Sequence, residues 1–298
     1  MKTKQWGLFW LVGLIWGTSF FWIKIALEEV SPVVLVAFRS LFGSIGLGLI
    51  ILIKKKVGVT WAAIKDKLPV FLILGLINIA LPWSLISWAE QFIDSGTAAI
   101  LNGSMPLFTV FLSPIFLKEE RISLPKMAGL VIGFLGVVLL MAPSIQNKWS
   151  SNLIGQFASL LASLFYAVST IFARKKTGGI PADIQAFLQL SSGTLIIWVY
   201  ALFTEHPFTL PQTSLTWLSL VWLGVLGSSF AYIIYFYLLH KIGTTRTSMI
   251  TYIPPLVGMI LGVGFLKEQF YWQALVGALM ILSGIAIVNM KKKVAQTA

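Results

Sequence analysis

The sequence predicts an all-α polytopic membrane protein whose ten transmembrane helices form two inverted five-helix repeats. Hydrophobic residues make up 57% of the 298 positions and charged residues only 11%, whereas soluble domains carry about 25% charged residues. Ten apolar stretches are long enough to cross a bilayer, which takes about 20 residues of helix. The second five stretches repeat the first five, and the short loops between them leave no room for a soluble domain.

Each apolar stretch is expected to be a helix, because the bilayer core offers no partners for unpaired backbone N–H and C=O groups. We divide the chain into two repeats, residues 1–147 and residues 148–298, with five helices in each. The predicted spans are residues 6–26, 33–53, 69–89, 95–117, 126–142, 152–172, 183–203, 214–238, 246–266 and 271–290.

The net charge of +12 follows the predicted topology and does not indicate a nucleic-acid partner. With a cytoplasmic N-terminus, 18 Lys and Arg residues fall on the inner side, and only Lys148 and Lys267 fall on the outer side. Cytoplasmic loops of membrane proteins carry such an excess. We therefore expect a multi-pass protein of the inner (plasma) membrane, embedded in the lipid bilayer with both termini in the cytoplasm.

Several chemical classes are excluded by residues that the chain lacks. It contains no cysteine, so disulfides and thiolate metal sites are absent, and no metal or cofactor is predicted. A P-loop pattern is also missing, which argues against ATP-driven transport by this chain. The acidic residues lie at span ends and in loops, so the sequence shows no carboxylate within a span that could serve as a proton relay or sodium site.

The internal repeat appears when the chain is aligned with itself. MPLFTVFLSPIFLKEE (105–120) aligns with PPLVGMILGVGFLKEQ (254–269) at an offset of 149 residues, and WGTSFFWIK (16–24) aligns with YAVSTIFAR (166–174) at an offset of 150. Five helices per repeat is an odd number, so the two repeats must cross the membrane in opposite directions. Such inverted repeats are typical of secondary transporters, whose substrate site lies near the midplane between the halves.

Four segments together resemble the drug/metabolite transporter superfamily, in particular its EamA-like branch of ten-helix transporters. They are WGTSFFWIKIAL (16–27), SPVVLVAFRS (31–40), GTAAILNGSMPLFTVFLSPIFLKEE (96–120) and GLVIGFLGVVLL (129–140). The resemblance implies a basket of helices around a central cavity, with helices 5 and 10 at the periphery. Many members export amino acids, other metabolites or drugs, so the resemblance does not fix the substrate.

Two cations within or near spans, Lys24 and Arg39, are candidates for charge pairing or gating. Ionisable residues inside a membrane are costly and usually face the bundle interior or water. One or both could attract a substrate carboxylate or form an outer gate with nearby acids. The alternatives are that Lys24 extends to the interface and that Arg39 belongs to a fixed structural ion pair.

Polar and aromatic side chains deep within spans are candidates for substrate binding. Amide and hydroxyl groups could hydrogen-bond a substrate at the midplane or join neighbouring helices. Aromatic rings could line a cavity through stacking and cation–π contacts or could pack helices together. The candidate residues are Trp16, Asn78, Trp83, Asn102, Tyr166, Tyr232, Tyr235 and Thr251.

Prolines and loop carboxylates recur at equivalent positions of the two repeats. Pro106 aligns with Pro255, and each is expected to kink its helix and assist gating or to form a static kink. Lys118-Glu119 and Lys267-Glu268 precede helices 5 and 10. Each glutamate is expected to cap the helix that follows it, where a carboxylate meets the positive end of the helix dipole.

Small-residue spacings mark helices 5 and 10, at Gly129, Gly133 and Gly136 and at Gly277 and Gly284. Glycines at such spacing allow two helices to approach closely. They could pack helices within one bundle or form a homodimer contact through helices 5 and 10, and the sequence leaves both open.

The function that the sequence favours is secondary transport of a small molecule by alternating access, with export of amino acids or related zwitterions as the first reading. The alternative is efflux of multiple drugs or organic cations by the same fold, which the deep aromatic residues favour but Lys24 and Arg39 oppose. A remote alternative is an intramembrane enzyme that modifies lipids. It would need a clustered nucleophile, base or metal site, and none is visible in the sequence.

The topology can be tested by reporter fusions at the two ends of the chain. We expect both termini to report a cytoplasmic location, because the excess of Lys and Arg holds the loops on that side. Termini on opposite faces of the membrane would contradict the ten-helix arrangement.

Overall fold

The computed structural model describes residues 3–54, 64–117, 123–146, 151–205, 210–242, 247 and 249–289. Over these residues it contains nine helices that are long and apolar enough to span a membrane, together with a shorter apolar helix. In chain order they are α1 Thr3–Ala26, α2 Pro32–Ile53, α3 Leu68–Ala89, α4 Ser95–Phe116, α5 Leu124–Ile145, α6 Asn152–Lys176, α7 Ala182–Thr204, α8 Ser214–Tyr235, α9 Met249–Phe265 and α10 Trp272–Asn289.

The ten predicted spans therefore correspond to ten helices, and the fold prediction is confirmed. The largest difference in boundaries is at the end of α6, which was predicted at residue 172 and lies at Lys176. Large apolar side chains such as Ile115, Phe203 and Ile260 are exposed on the outside of the bundle. An apolar surface of this extent is expected where lipid covers the protein.

The third helix of each repeat contains a π-helical segment at an equivalent position. In α3 it covers Gly75–Ala80, and in α8 it covers Trp222–Phe230. An offset of 149 residues places Gly75 on Gly224. π-Helical turns are rare and are frequently found at functional sites, so their recurrence indicates that both repeats use the same local distortion.

The fourth helix of each repeat departs from regular α-helical structure, α4 near its middle and α9 at the start of its described part. In α4 the α-helical segment Ser95–Asn102 ends before a second segment, Met105–Phe116, begins. In α9 a 3₁₀ turn, Met249–Tyr252, precedes the α-helix that starts at Ile253. Pro106 and Pro255 lie in the first turn of the segment that follows each break. The predicted kinks are thus breaks at which proline begins a new segment, where its missing N–H is not needed.

Helices α5 and α10 pack against each other through reciprocal glycine contacts. A methyl group on Gly129 would lie 2.6 Å from the carbonyl oxygen of Gly284, and one on Gly136 would lie 2.7 Å from that of Gly277. Because Gly129 aligns with Gly277 and Gly136 with Gly284, the contact is that of a twofold interface. These glycine faces are covered within one chain, and a homodimer through the outer surfaces of α5 and α10 stays a prediction.

The same symmetry relates α2 to α7 at the centre of the bundle. Ser44 Oγ and Thr194 Oγ1, which are equivalent at an offset of 150, lie 2.8 Å apart and share a hydrogen bond. Gly75 in α3 contacts Gly193 in α7, and Gly224 in α8 contacts Gly43 in α2. A residue that meets its own equivalent lies on the symmetry axis, so the pseudo-twofold axis passes between Ser44 and Thr194.

We expect Gly129→Val to destabilise the protein by about 1–3 kcal/mol, because the added side chain would overlap the α10 backbone. Thermal unfolding in detergent would measure the loss. The matched control is Gly264→Val, since a Cβ at Gly264 has no described atom within 4 Å. Equal midpoints for the two variants would contradict the close packing of α5 and α10.

Candidate functional site

A cation and a group of aromatic rings lie together between the two halves. The guanidinium carbon of Arg39 lies 4.0 Å from the centre of the Trp83 ring, a distance that allows a cation–π interaction. The Trp83 side chain also lies next to Tyr166. Arg39 interacts electrostatically with Tyr166, Tyr232 and Glu90. These contacts bring together residues of α2, α3, α6 and α8, and thus of both repeats.

Arg39 is only partly satisfied in this arrangement. Its Nε is buried and has no hydrogen-bond partner among the described residues, although the side chain as a whole is half-buried. An arginine in a membrane usually pairs with an anion or faces water. Because its fork of N–H groups matches a carboxylate, Arg39 has the geometry to bind an anionic group that enters the bundle.

Trp16 extends the aromatic group on the side of α8. Its ring centre lies 6.0 Å from that of Tyr232 and 5.3 Å from that of Tyr235. Its indole N–H donates to the carbonyl oxygen of Gly227 at 3.1 Å. This carbonyl group lies in the π-helical segment of α8. The hydrogen bond that it accepts holds the Trp16 ring in place.

A cavity of about 210 Å³ lies beside Tyr232. Its polar lining comes mainly from α3, α6 and α7, on the side of the membrane where the described chain begins. Asn78 Nδ2 donates to Gln189 Oε1 at 2.9 Å, and Ser169 Oγ donates to Asn78 Oδ1 at 2.8 Å. Asn78 therefore links α3 to α6 and α7 and also lines the cavity. Its position is compatible with both predicted roles, which are substrate binding and interhelical bonding. The lining residues are Leu47, Asn78, Ile79, Ser169, Thr170, Ala173, Gln185, Ala186, Gln189, Leu190, Ser228 and Tyr232.

Four predicted residues lie at the crossing of α4 and α9, away from the contacts described for Arg39. A methyl group on Gly103 would lie 3.0 Å from Pro255 Cγ, so the two breaks pack together. Asn102 Oδ1 is buried and has no hydrogen-bond partner among the described residues. Thr251 and Pro106 occupy the matching breaks of α9 and α4. The Asn102 side chain thus places a second buried polar group between the two halves, where α4 and α9 cross.

Lys24 lies at the end of the bundle predicted to face outward, and not beside Arg39. Its Nζ donates to the backbone carbonyl oxygens of Glu90 and, at 3.0 Å, Ile93. The predicted outer gate joins Lys24 to a carboxylate, whereas the structure joins it to the carbonyl end of α3. A cation there is favourable because the last carbonyls of a helix carry partial negative charge.

Carboxylates from both repeats cap helices of the opposite repeat at this same end. Glu268 accepts hydrogen bonds from Ser95 N at 2.7 Å, Ser95 Oγ at 3.0 Å and Gly96 N at 3.3 Å. The prediction that Glu268 caps the following helix is therefore wrong, because it caps α4. The preceding Lys267 has a positive φ of 56°, which turns the loop back towards α4. The equivalent Glu119 lies outside the described residues.

Glu29 forms the corresponding contact between α1 and α8. Its carboxylate accepts hydrogen bonds from Thr213 Oγ1 at 2.7 Å and from the backbone N–H groups of Gln212 and Thr213. Hydrogen bonds from Thr216, Gln212 and Thr213 lower the pKa of Glu29 from 4.5 to about 2. Together with the Glu268 contact, the Glu29 contact ties the two halves together at the end opposite the cavity beside Tyr232, where Lys24 links α1 to the end of α3 within the first repeat.

Sequence reasoning missed three glutamines that lie in the bundle. Gln185 and Gln189 are four residues apart on one face of α7 and line the cavity. Gln156 in α6 is buried, and its Oε1 has no hydrogen-bond partner among the described residues. It lines a second cavity of about 220 Å³ near Asp94 and Tyr271 at the opposite end. The i, i+4 spacing of Gln185 and Gln189 within an apolar span was the available signal.

Comparison with known proteins gives matches along nearly the whole chain. The family model of the EamA-like transporter family matches residues 5–142 and 153–290. The uncharacterized transporter YoaV of Bacillus subtilis is 26% identical over 92% of each chain. An uncharacterized transporter of Archaeoglobus fulgidus is 27% identical over 97% of this chain and 100% of that protein.

Two further matches are similar in extent. The uncharacterized inner membrane transporter YedA of Escherichia coli K12 is 27% identical over 88% of this chain and 84% of that protein. A crystal structure with 19% sequence identity matches with a TM-score of 0.65, covering 97% of this chain and 98% of the other. At that identity, the structural likeness supports the fold alone.

The cap formed by Glu29 predicts a pH-dependent contribution to stability. Because its pKa is lowered in the folded protein, the contribution is present above the unfolded value of about 4.5 and is lost as the pH falls through about 2. We expect Glu29→Gln to lower the thermal midpoint at about pH 6, and the difference from the unmodified protein to shrink towards about pH 2. Glu28→Gln, at the exposed neighbouring carboxylate, is the control. A difference for Glu29→Gln that is independent of pH would contradict the cap.

Proposed function

Because this chain belongs to the EamA-like transporter family, we propose that it is a secondary transporter that exports amino acids or related zwitterions by alternating access. The observation that carries the proposal is the half-buried Arg39 on the Trp83 ring, between the two repeats, together with Tyr232, which also lines a cavity. A cation at this depth is costly unless an anion or water meets it. A substrate carboxylate would satisfy the buried Nε–H of Arg39, which has no hydrogen-bond partner among the described residues.

The surroundings of Arg39 support a small zwitterion over a large organic cation. Arg39 would repel a cationic substrate, while Trp83, Tyr166 and Tyr232 offer aromatic faces to the rest of a carboxylate-bearing molecule. The cavity of about 210 Å³ is smaller than the 300–1,000 Å³ typical of sites for drug-sized ligands. Efflux of organic cations is the alternative, and it would require the cavity to enlarge and Arg39 to be neutralised.

Alternating access is supported by the symmetry of the fold and the asymmetry of its two ends. The cavity beside Tyr232 lies on the side predicted to be cytoplasmic, whereas Glu29 and Glu268 tie the halves together on the other side, where a second cavity of about 220 Å³ lies near Asp94. Two repeats related by a twofold axis in the membrane plane can exchange these roles. The exchange would release the contacts of Glu29 and Glu268 and carry a substrate on Arg39 to the outer face, in the inner membrane of the cell.

Transport by purified protein in proteoliposomes is the direct test. A panel of L-amino acids, their decarboxylated amines and a lipophilic cation such as tetraphenylphosphonium would separate the two candidate functions. We expect saturable uptake of one or more amino acids and none of tetraphenylphosphonium. Transport of the cation alone would favour multidrug efflux, and transport of no compound would contradict the proposed substrate classes.

The variant Arg39→Ala tests the carboxylate contact. Hydrogen bonds to a charged group contribute about 1.5–3 kcal/mol, so the kcat/KM for a transported amino acid should fall about 10- to 100-fold. Transport of an analogue without the carboxylate should change little. The control is Arg174→Ala, at an exposed arginine near the end of α6. An equal loss for both substrates would assign Arg39 a purely architectural role.

A further inference from the structure

Glu90, directly after α3, is a buried acid that has no role in the substrate binding proposed above. Its side chain is fully buried, with 0% of its surface exposed. Neither carboxyl oxygen has a hydrogen-bond partner among the described residues. Burying an ionised carboxylate without partners is so costly that such a group normally binds a proton instead.

Its position links Glu90 to the proposed transport site. Trp83, Ser87 and Glu90 lie at i, i+4 and i+7 and therefore share one face of α3. Glu90 is about 10 Å along the axis from Trp83, at 1.5 Å per residue. It interacts electrostatically with Arg39, the cation that stacks on Trp83. The charge state of Glu90 therefore acts on the residue to which a substrate carboxylate would bind.

The charged groups around Glu90 come from several elements and oppose one another. Lys24 of α1 and Arg39 of α2 favour the ionised form, and Glu268 of the loop before α10 opposes it. Asp94, four residues further on, is subject to the same Lys24 and Glu268. Helix α6, which packs against this end of α3, contributes the uncharged Gln156 nearby. Burial outweighs the cations and raises the pKa of Glu90 well above its ordinary value.

Lys24 offers a way to compensate the charge once a proton leaves. Its ammonium group now donates to the backbone carbonyl of Glu90, so it is next to the carboxyl group without binding to it. When the outer end opens, water from the outer face can reach ionised Glu90 and give it a proton. Closure and dehydration of the outer end would keep this proton on Glu90. Its release towards the cytoplasmic cavity, with the Lys24 ammonium taking the carboxylate in place of the carbonyl oxygen, would exchange one proton inward for one substrate outward.

We propose that Glu90 is a proton-binding site that couples transport by this protein to the proton gradient across the membrane. The inference rests on the proposed transport function and extends it by naming the coupling ion. It agrees with the sequence-based expectation that no carboxylate lies within a span, because Glu90 follows the end of α3. Glu90 lies at a span end in sequence, but helix packing removes it from water completely.

The first experiment measures proton binding without any substrate. Infrared spectra of the purified protein, in a detergent without ester groups, are compared with those of Glu90→Gln. We expect the difference spectrum at about pH 7 to contain the C=O stretch of a protonated carboxyl group, because burial favours the neutral form. The control Glu28→Gln should remove no such band. A Glu90 that is already ionised at about pH 6 would overturn the proposal.

The second experiment measures coupling, with proteoliposomes and whichever L-amino acid of the panel is transported. An imposed gradient of one pH unit can drive at most about tenfold accumulation at one proton per substrate. We expect the unmodified protein to accumulate substrate several-fold in one direction of the gradient. Glu90→Gln should only equilibrate it, while retaining substrate exchange in the absence of a gradient.

The outcomes separate this inference from the proposed function. Transport that ignores the pH gradient in the unmodified protein, or gradient-driven accumulation by Glu90→Gln, would overturn the coupling role and leave the transporter intact. Loss of exchange by folded Glu90→Gln would assign Glu90 a structural role and would also overturn it. Absence of all transport by the unmodified protein would instead contradict the proposed substrates, and the infrared titration would still decide whether Glu90 binds a proton.

Discussion

The reciprocal packing of the two repeats determines where every other feature of the protein lies. Glycines in α5 and α10 exchange equivalent contacts, and Ser44 meets its own equivalent, Thr194, on the pseudo-twofold axis. Such contacts require backbones to approach closely, which suits membranes, where packing rather than water exclusion drives helix association. The two repeats present equivalent surfaces to each other. The arrangement of helices seen at one end of the bundle can therefore also form at the other end when the repeats move.

The two repeats share one fold, but they differ in the charged side chains at equivalent positions. At an offset of 150 residues, Arg39 corresponds to Gln189, so only the first repeat carries the deep cation. Trp16 corresponds to Tyr166, and both repeats therefore keep an aromatic ring at this position. In the proposed mechanism, symmetry allows the movement, while the unmatched Arg39 provides selectivity for a charged group and the unmatched Glu90 provides the coupling. The proposed roles of Arg39 and Glu90 both depend on burial, because electrostatic interactions are stronger inside the bundle than in water.

The sequence predicted most of the fold because membrane spans depend on local composition and the repeat on simple alignment. It also predicted Arg39, Trp83, Tyr166 and Tyr232 as site candidates, and the structure brings these four together. It could not predict that Glu268 caps α4 or that Glu90 is fully buried. Those properties depend on which helix ends meet in space, and the loop sequences do not encode a partner. Each π-helical segment also contains a glycine that packs against a glycine of a neighbouring helix, a pairing that the local sequence does not specify.

The central claim is that the two ends of the pathway open in turn, and the absence of native cysteine makes it directly measurable. Ser87→Cys lies buried on the α3 face between Trp83 and Glu90, and Ser169→Cys lines the cavity at the other end. The rate of labelling by a membrane-impermeant maleimide is measured at each position, with and without Glu268→Ala. The account predicts that loss of the Glu268 cap speeds labelling at Ser87→Cys and slows it at Ser169→Cys. Rates that rise together, or a change at one position alone, would contradict alternating access.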